Sequence, residues 1–192
     1  MATTYTAIYV LWNVSWTKLN FILEQKPSIG GSMLYGLTWR AYLKKDPITG
    51  DIITRRKHSK GLYYTKIMDD HPDLQDIFNE FGKKYLSEFE FTQVQLNKNF
   101  PCPPHQDSKN TGESIVVAFG DFTGGETTIW FNGQDKPSQS IISHNNLIKF
   151  NGSKYWHKVE PFTGTRYSLV FFNRATKKRI INIFKSEPLS FI

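Results

Sequence analysis

The chain has 192 residues and only one cysteine, Cys102, which excludes an intrachain disulfide framework and makes a reducing compartment the expectation. Hydrophobic residues make up 39% of it and charged residues 21%, as in ordinary soluble globular proteins, and the N-terminal apolar run is too short and interrupted for a membrane span. We therefore expect one domain over residues 1–192, located in the cytoplasm or in the nucleus or nucleoid.

The net charge of +7 is unevenly distributed along the chain. Residues 40–66 carry a balance of +6, residues 67–173 carry −4 and residues 174–192 carry +4. Two basic arms therefore flank a mildly acidic centre. Such arms attract polyanions such as nucleic acid, and a merely solubilising surface explains them equally well.

The first 88 residues are expected to be helical, with one basic loop. A short helix is predicted over residues 16–24, and residues 46–62 combine turn signals with the basic cluster, as in a hairpin or an exposed loop. The strongest helix signal follows Pro72, with Asp70 as a plausible cap. Its apolar positions have the spacing of one helix face: Leu74, Ile77, Phe78, Phe81 and Tyr85.

From Glu88 onward the pattern changes to short strands. Runs such as FEFTQVQLN, SIVVAFG, ETTIWF, QSIIS, NLIKF, RYSLVFFN and RIINIF are separated by Gly, Asn, Asp or Pro. Their spacing favours a sandwich or jelly roll over βαβ units. We therefore predict a mostly β protein with supporting helices, in which residues 1–88 buttress a core over residues 89–186.

His105-Gln106-Asp107 is the first motif that indicates chemistry. Residues two apart on a strand point to the same face, so the imidazole and the carboxylate can meet one cation. Two histidines and one carboxylate on one octahedral face leave three positions open, which is what a non-haem Fe(II) oxygenase needs. Alone, this short motif also occurs by chance.

The third ligand must come from elsewhere, and the later histidines are His144 and His157. His157 lies nine positions before Arg166, at which the strand RYSLVFF begins. Arg166 and Ser168 share one strand face, and a guanidinium buried on an apolar strand needs an anionic partner. His144 stands in the turn-like SHNN with no comparable arginine, and we interpret it as a loop residue.

This order of polar residues resembles the Fe(II)- and 2-oxoglutarate-dependent dioxygenase superfamily, whose motifs lie in a double-stranded β-helix, a jelly-roll or cupin-like fold. The match covers about residues 89–173. The resemblance implies that His105, Asp107 and His157 bind Fe(II) and that Arg166 anchors 2-oxoglutarate, with O2 as co-substrate and ascorbate as a candidate reductant. Ser168 and Asn97 are expected to assist, Asn97 at the carboxylate next to the keto group.

One branch of that superfamily, which includes the TET and J-base-binding oxygenases, is similar in more detail. The shared elements lie in PHQDSKNTGESIVVAFGDFTGGETTIWF and in PFTGTRYSLV. The resemblance implies oxidation of the methyl group of a pyrimidine base in DNA, 5-methylcytosine or thymine. Asn110 and Asp121 are expected to stabilise loops near the metal.

A base in duplex DNA must leave the stack to reach such an iron. Phosphate contacts are then expected from the basic loop, and stacking from Trp39, Tyr63 or Tyr64. The candidate phosphate-binding residues are Arg55, Arg56, Lys57 and Lys60, with His58 between them.

Two other substrate classes remain open from the sequence. GGET also occurs in prolyl 4-hydroxylases, which keeps a protein hydroxylase as an alternative, although those enzymes usually anchor 2-oxoglutarate with lysine where this chain offers Arg166. The short chain also leaves room for an oxygenase of small metabolites or free nucleotides.

Overall fold

The computed structural model describes residues 31–38, 43–54, 63–86, 89–133, 135 and 139–174. Their elements, in chain order, are β1 (Gly31–Thr38), β2 (Leu43–Lys45), β3 (Ile52–Thr54), β4 (Tyr63–Tyr64), α1 (Lys66–Asp70), α2 (Leu74–Tyr85), β5 (Gln93–Lys98), β6 (Ser114–Gly124), β7 (Thr127–Trp130), β8 (Gln139–Ile141), β9 (Ile148–Phe150), β10 (Trp156–Val159) and β11 (Phe162–Phe172). The predicted helix over residues 16–24 and the predicted strand over residues 179–184 lie outside these ranges. None of the described helices is long and apolar enough to cross a membrane.

The strands form a large sheet, a small sheet and a separate hairpin. The large sheet has the order β4-β1-β5-β11-β6-β9, the small sheet has the order β10-β7-β8, and β2 pairs with β3. All of the paired strands are antiparallel. The predicted mostly β jelly-roll core is confirmed, and the β2–β3 hairpin agrees with the turn predicted between residues 46 and 62.

The sequence predicts a helical N-terminal third with one basic loop. Its described part contains strands as well as helices. β1 lies within the large sheet, where Met33 pairs with Leu96 and Tyr35 with Val94. Its eight residues include two glycines and one serine, so the sequence has only a weak strand pattern. Pairing with β5 and burial, rather than intrinsic β propensity, therefore stabilise the strand. Among the described residues before Glu90, the helical prediction holds for residues 66–70 and 74–85.

Helix α2 covers one face of the large sheet. Phe78 and Phe81 are buried, and the Phe81 ring stacks on Phe171 of β11 with 5.2 Å between the ring centroids. Tyr35 of β1 meets Phe78 edge to face at 5.1 Å. The apolar face predicted for this helix is therefore the face that packs on the sheet.

The predicted cap of helix α2 is wrong. Asp70 ends α1 and forms an ion pair with Lys66, while the residue that precedes α2 is Asp73, whose side chain makes no capping hydrogen bond. Pro72 is tolerated before the first helical turn because it has no N–H to satisfy, so the chain turns there and the new helix begins after Asp73.

The opposite face of the large sheet lies against the small sheet. Val116 of β6, Ile129 of β7 and Ile148 and Phe150 of β9 form a second apolar cluster between them. Because side chains alternate along β11, Leu169 and Phe171 point to the α2 side, while Ser168 and Val170 line a cavity on the other side. The polar positions of the strands thus meet between the two sheets.

Candidate active site

His105 and His157 are held side by side by the backbone. His157 lies on β10, and the two residues exchange both of their backbone hydrogen bonds, each with an N···O distance of 3.0 Å. This pairing places the imidazole rings 4.2 Å apart, measured between centroids. The sequence does not predict β10, because its four residues form too short a run to be recognised.

Asp107 completes the cluster from the same segment as His105. Its backbone N–H donates to the Gly152 carbonyl at 2.9 Å. Its two carboxylate oxygens lie 3.7 Å from Nε2 of His105 and 3.7 Å from Nε2 of His157. One ligand atom from each of the three residues lies within 4.8 Å of the others, a spacing that suits a shared metal ion.

Gly152 lets these side chains come together. A Cβ atom at this position would lie 3.0 Å from Oδ2 of Asp107 and 3.4 Å from Cε1 of His157. Any larger residue would therefore push the carboxylate away from the imidazole. The sequence marks Gly152 only as half of an Asn-Gly turn, so this packing role was not foreseen.

Both imidazoles are oriented by main-chain carbonyls. Nδ1 of His105 lies 2.8 Å from the Pro103 carbonyl oxygen, and Nδ1 of His157 lies 3.0 Å from that of Tyr155. A carbonyl can only accept, so each Nδ1 carries a hydrogen, and in a neutral imidazole Nε2 then keeps the lone pair that a metal ion binds. Burial lowers the pKa of His157 below its ordinary value, which favours the neutral, metal-binding form.

Cys102 lies beside this cluster without the properties of a ligand. Its Sγ atom is 3.5 Å from Nδ1 of His105. Burial, and to a smaller extent the negative charge of Asp107, raise the pKa of the thiol to about 11. A thiol that stays protonated at neutral pH is a weak nucleophile and a weak ligand, and packing is the role that its surroundings support.

Arg166 is buried on β11 with only 2% of its surface exposed. Its guanidinium carbon lies 5.5 Å from the centroid of the Phe122 ring and 5.6 Å from that of Phe162. Nη2 donates to the Ser143 hydroxyl at 3.2 Å, while Nε has no hydrogen-bond partner. Burial lowers the pKa of Arg166 to about 10, which leaves it charged at neutral pH.

No carboxylate of the described residues forms an ion pair with Arg166. A buried, charged guanidinium with an unused Nε–H is costly unless an anion binds there. Gly125, whose φ is +75°, leaves the space that the arginine occupies, since a Cβ there would be 3.1 Å from both Cδ and Nε. The arrangement is therefore suited to a carboxylate ligand.

Ser168 and Asn97 continue this polar surface, as the strand register requires. They are direct partners across β11 and β5, and Nδ2 of Asn97 donates to Oγ of Ser168 at 3.2 Å. Oδ1 of Asn97 in turn accepts from Ser32 at 2.8 Å. Since Oγ of Ser168 accepts in this chain of bonds, its own hydrogen is available to a ligand in the cavity.

All six of these side chains line one cavity of about 290 Å³. They are His105, Asp107, His157, Arg166, Ser168 and Asn97. The size is at the lower end of the range for small-ligand sites. The structure thus brings the possible metal ligands and the possible anion-binding residues into a single chamber.

The remaining candidates have different positions. The described residues do not include the candidate phosphate-binding residues Arg55, Arg56, Lys57 and Lys60, or Trp39 and His58. Tyr63 and Tyr64 form the half-buried edge strand β4. Asn110 lines the cavity, and Asp121 is exposed on β6. His144 forms a β-bridge with Ala118, and its ring centroid lies 4.3 Å from that of Phe122. It does not belong to the group formed by His105, Asp107 and His157.

No protein-family model matches the sequence, and no curated protein sequence matches it. Among solved structures, NgTET1 in complex with 5mC DNA superimposes with a TM-score of 0.53 and 15% identity, over 85% of this chain and 67% of that chain. The chain therefore shares the fold of NgTET1. An oxidoreductase of the 2OG-Fe(II) oxygenase family from Burkholderia pseudomallei superimposes with a TM-score of 0.49 and 16% identity, over 83% of this chain and 78% of that chain. OsALKBH1 superimposes with a TM-score of 0.44 and 16% identity, over 77% of this chain and 79% of that chain.

Proposed function

We propose that this chain is an Fe(II)- and 2-oxoglutarate-dependent oxygenase whose substrate is the methyl group of a pyrimidine base in DNA, 5-methylcytosine or thymine. One observation carries the proposal. Two imidazoles and a carboxylate converge in the same small cavity as a buried arginine that has no acidic partner among the described residues. The fold, which is that of the 2OG-Fe(II) oxygenases, agrees with it.

The donor set of the cluster fits Fe(II). Imidazole nitrogens and a carboxylate oxygen are suitable ligands for this ion, and three protein ligands on one side leave room for other molecules on it. His105, Asp107 and His157 would hold the ion, and the main-chain carbonyls of Pro103 and Tyr155 already fix the imidazoles in the tautomer that binding needs.

The surroundings of Arg166 fit the far carboxylate of 2-oxoglutarate. The free Nε–H and the neighbouring Nη–H of a guanidinium form a fork that matches two carboxylate oxygens. The hydroxyl of Ser168 can donate a further hydrogen bond, and Thr127 lines the same cavity with a buried hydroxyl that has no partner. The contact expected of Asn97, with the carboxylate next to the keto group, stays a prediction.

Within this arrangement the protein binds, orients and excludes water. Fe(II) supplies the activation of O2, so that 2-oxoglutarate, O2 and a substrate C–H bond become succinate, CO2 and an alcohol. Arg166 fixes one end of the co-substrate, which turns its keto end toward the three ligands. Phe150, Val170 and Phe172 line the cavity with apolar surface and limit the access of water.

Two features support DNA as the polymer that carries the substrate. NgTET1, which has a similar fold, was solved in complex with 5mC DNA. The basic arms on either side of the acidic centre have the charge that a phosphate backbone attracts. Neither feature favours the peptide substrate of a prolyl hydroxylase or a small metabolite.

The deciding experiment follows succinate and nucleosides together. Purified protein with Fe(II), ascorbate and 2-oxoglutarate is incubated with DNA containing 5-methylcytosine and thymine, and the digested DNA is examined by mass spectrometry. We expect an oxidised methylpyrimidine that forms only when all cofactors are present. His105→Ala should abolish succinate formation and weaken metal binding, measured with Co(II) by absorption, because one of the three ligands is removed.

A matched control separates loss of the site from loss of the fold. His71→Ala removes an imidazole at the end of α1, outside the cavity, and should leave turnover and Co(II) binding unchanged. Full activity of His105→Ala would refute the metal site. Succinate without an oxidised nucleoside would keep the oxygenase and direct the search to protein and metabolite substrates.

A further inference from the structure

Arg166 lies where β6 and β11 extend together beyond the other strands of the large sheet. The pairing of β5 with β11 begins at Tyr167, and β9 pairs with the first three residues of β6. The pairing of β6 with β11 continues to Gly124 and Phe162. Residues 120–124 and 162–166 therefore form a two-stranded ribbon, with Arg166 at the end that joins the sheet.

The register of this ribbon brings two aromatic residues to the side of the arginine. Phe162 and Arg166 are four residues apart on β11, and Phe122 of β6 pairs with Gly164, which lies midway between them. Residues two apart on a strand point to the same face, so the pattern predicts one face for all three side chains. The backbone at Gly164 has a φ of +97°, and a Cβ there would lie 2.2 Å from the Asp121 carbonyl oxygen. This close pairing is therefore open to glycine alone.

The guanidinium of Arg166 lies over both rings. Its Cζ atom is 5.5 Å from the centroid of the Phe122 ring and 5.6 Å from that of the Phe162 ring. The two ring planes are inclined at 74°, with 6.3 Å between their centroids. Both distances lie within the range of about 6 Å over which a ring face attracts a cation, and burial of Arg166 strengthens that attraction because little water competes.

The hydrogen bonds of Arg166 fix its backbone and one tip of its side chain. The N–H of Asn99 donates to the Arg166 carbonyl at 2.7 Å, and the N–H of Arg166 donates to Oδ1 of Asn99 at 2.7 Å. Nη2 donates to the Ser143 hydroxyl. These bonds do not by themselves fix the plane of the guanidinium, which rests on the aromatic rings.

The two rings do not belong to the lining of the cavity, whereas Arg166 does. A ligand in the cavity therefore meets the guanidinium, and the rings can act on that ligand only through it. An arginine side chain has many rotamers, and ordering it costs free energy. If the rings order Arg166 before a ligand arrives, the ligand does not bear that cost, and its affinity is not reduced by the fraction of unsuitable conformers.

We infer that Phe122 and Phe162 are positioning residues, which hold the guanidinium of Arg166 by cation–π contacts in the orientation that binds the far carboxylate of 2-oxoglutarate. This inference rests on the proposed function, because it concerns the same site.

The test weakens the ring faces while it keeps the rings. Phenylalanines with one, two or three ring fluorines are introduced at position 122 or 162 by nonsense suppression, since fluorine withdraws electron density from the face that attracts the cation. Calorimetry measures 2-oxoglutarate binding to protein holding Zn(II), which has no redox chemistry and so supports no turnover. Affinity should fall stepwise with each fluorine and by about tenfold or more in Phe122→Leu, as expected for loss of a cation–π contact shielded from water.

A second measurement needs no ligand. The Nε–H of Arg166 is buried, and its exchange with water follows the motion of the side chain. In nitrogen-15 spectra of the Zn(II) protein, the signal that disappears in Arg166→Lys identifies this group. Its exchange should become faster with each added fluorine and fastest in Phe122→Leu. With Fe(II), the turnover rate at saturating 2-oxoglutarate should stay unchanged while the Michaelis constant rises.

Phe171 provides the matched control, because its buried ring lies on the same strand, packs against other aromatic rings and does not line the cavity. Fluorination there should change neither affinity nor exchange. Weak binding in Phe122→Leu with wild-type binding in the fluorinated proteins would mean that the rings only fill space, and it would overturn the inference. Equal losses in the Phe171 series, or a lower turnover rate at saturation, would also overturn it. Absence of 2-oxoglutarate binding by wild-type protein would instead refute the proposed function, and the exchange of the Nε hydrogen would still decide whether the rings hold Arg166.

Discussion

Arg166 combines burial, positive charge and an unused donor, so its replacement tests the co-substrate site most directly. Arg166→Gln should raise the Michaelis constant for 2-oxoglutarate by at least tenfold, because truncating one partner of a buried charge pair costs about 2–5 kcal/mol. Arg166→Lys keeps the charge but loses the fork and should fall between wild type and glutamine. Succinate formation over a range of 2-oxoglutarate concentrations measures this, below pH 10, where the guanidinium is charged.

Lys98→Gln is the control for that series. Lys98 belongs to the neighbouring strand, and its ammonium lies over the Tyr167 ring at 5.7 Å, so the variant removes a cation near Arg166 without reaching the cavity lining. An unchanged Michaelis constant in Arg166→Gln, or an equal rise in Lys98→Gln, would contradict the assignment.

The sequence singled out the candidate site residues but did not indicate which residues contact them in the fold. His105, Asp107 and His157, together with Arg166 and Ser168, were singled out by type and spacing, and the structure brings all five to one cavity. Strand alternation explains why Arg166 and Ser168 face the same way. Ser143 and Gly152 were not foreseen, because their importance comes from contacts across the sheets that no local pattern records.

At the scale of elements, segments with a clear local pattern were predicted well, and segments without one were not. Helix α2 shows its apolar face over twelve residues, whereas β1 and the four residues of β10 carry little pattern of their own. Both strands are stabilised by pairing with distant segments, β1 with β5 and β10 with β7. Such long-range pairing lies beyond what local propensity can indicate.

The contact between α2 and the large sheet should dominate the stability of the fold. Phe171 is fully buried and packs against Phe78, Phe81 and Phe91. Phe171→Ala should lower the free energy of unfolding by about 3–5 kcal/mol, through reduced burial of apolar surface and the cavity left behind. Urea denaturation followed by circular dichroism measures it. Phe131→Ala, at a ring that is 38% exposed, is the control, and similar decreases in both variants would contradict this role of the core.

At the scale of the whole molecule, charge and chemistry are separated along the chain. The candidate ligands lie in the acidic centre, and most of the excess positive charge lies in residues 40–66 and 174–192. If the arms contact DNA phosphates, affinity is governed by counterion release and falls steeply with salt.

The slope of that salt dependence tests whether the basic arm binds the phosphates. Arg55 and Arg56 belong to the basic arm over residues 40–66. Replacing both with glutamine should make the plot of log affinity against log salt concentration less steep. The slope should fall by about 0.9 for each duplex phosphate that the variant no longer neutralises. Lys83 and Lys84 are exposed at the end of α2, which covers the other face of the large sheet, so the double glutamine variant there should keep the wild-type slope. Anisotropy titrations between about 50 and 200 mM salt span the range in which such phosphate binding changes affinity most. Identical slopes in the two double variants would mean that the basic arm solubilises the protein without binding DNA.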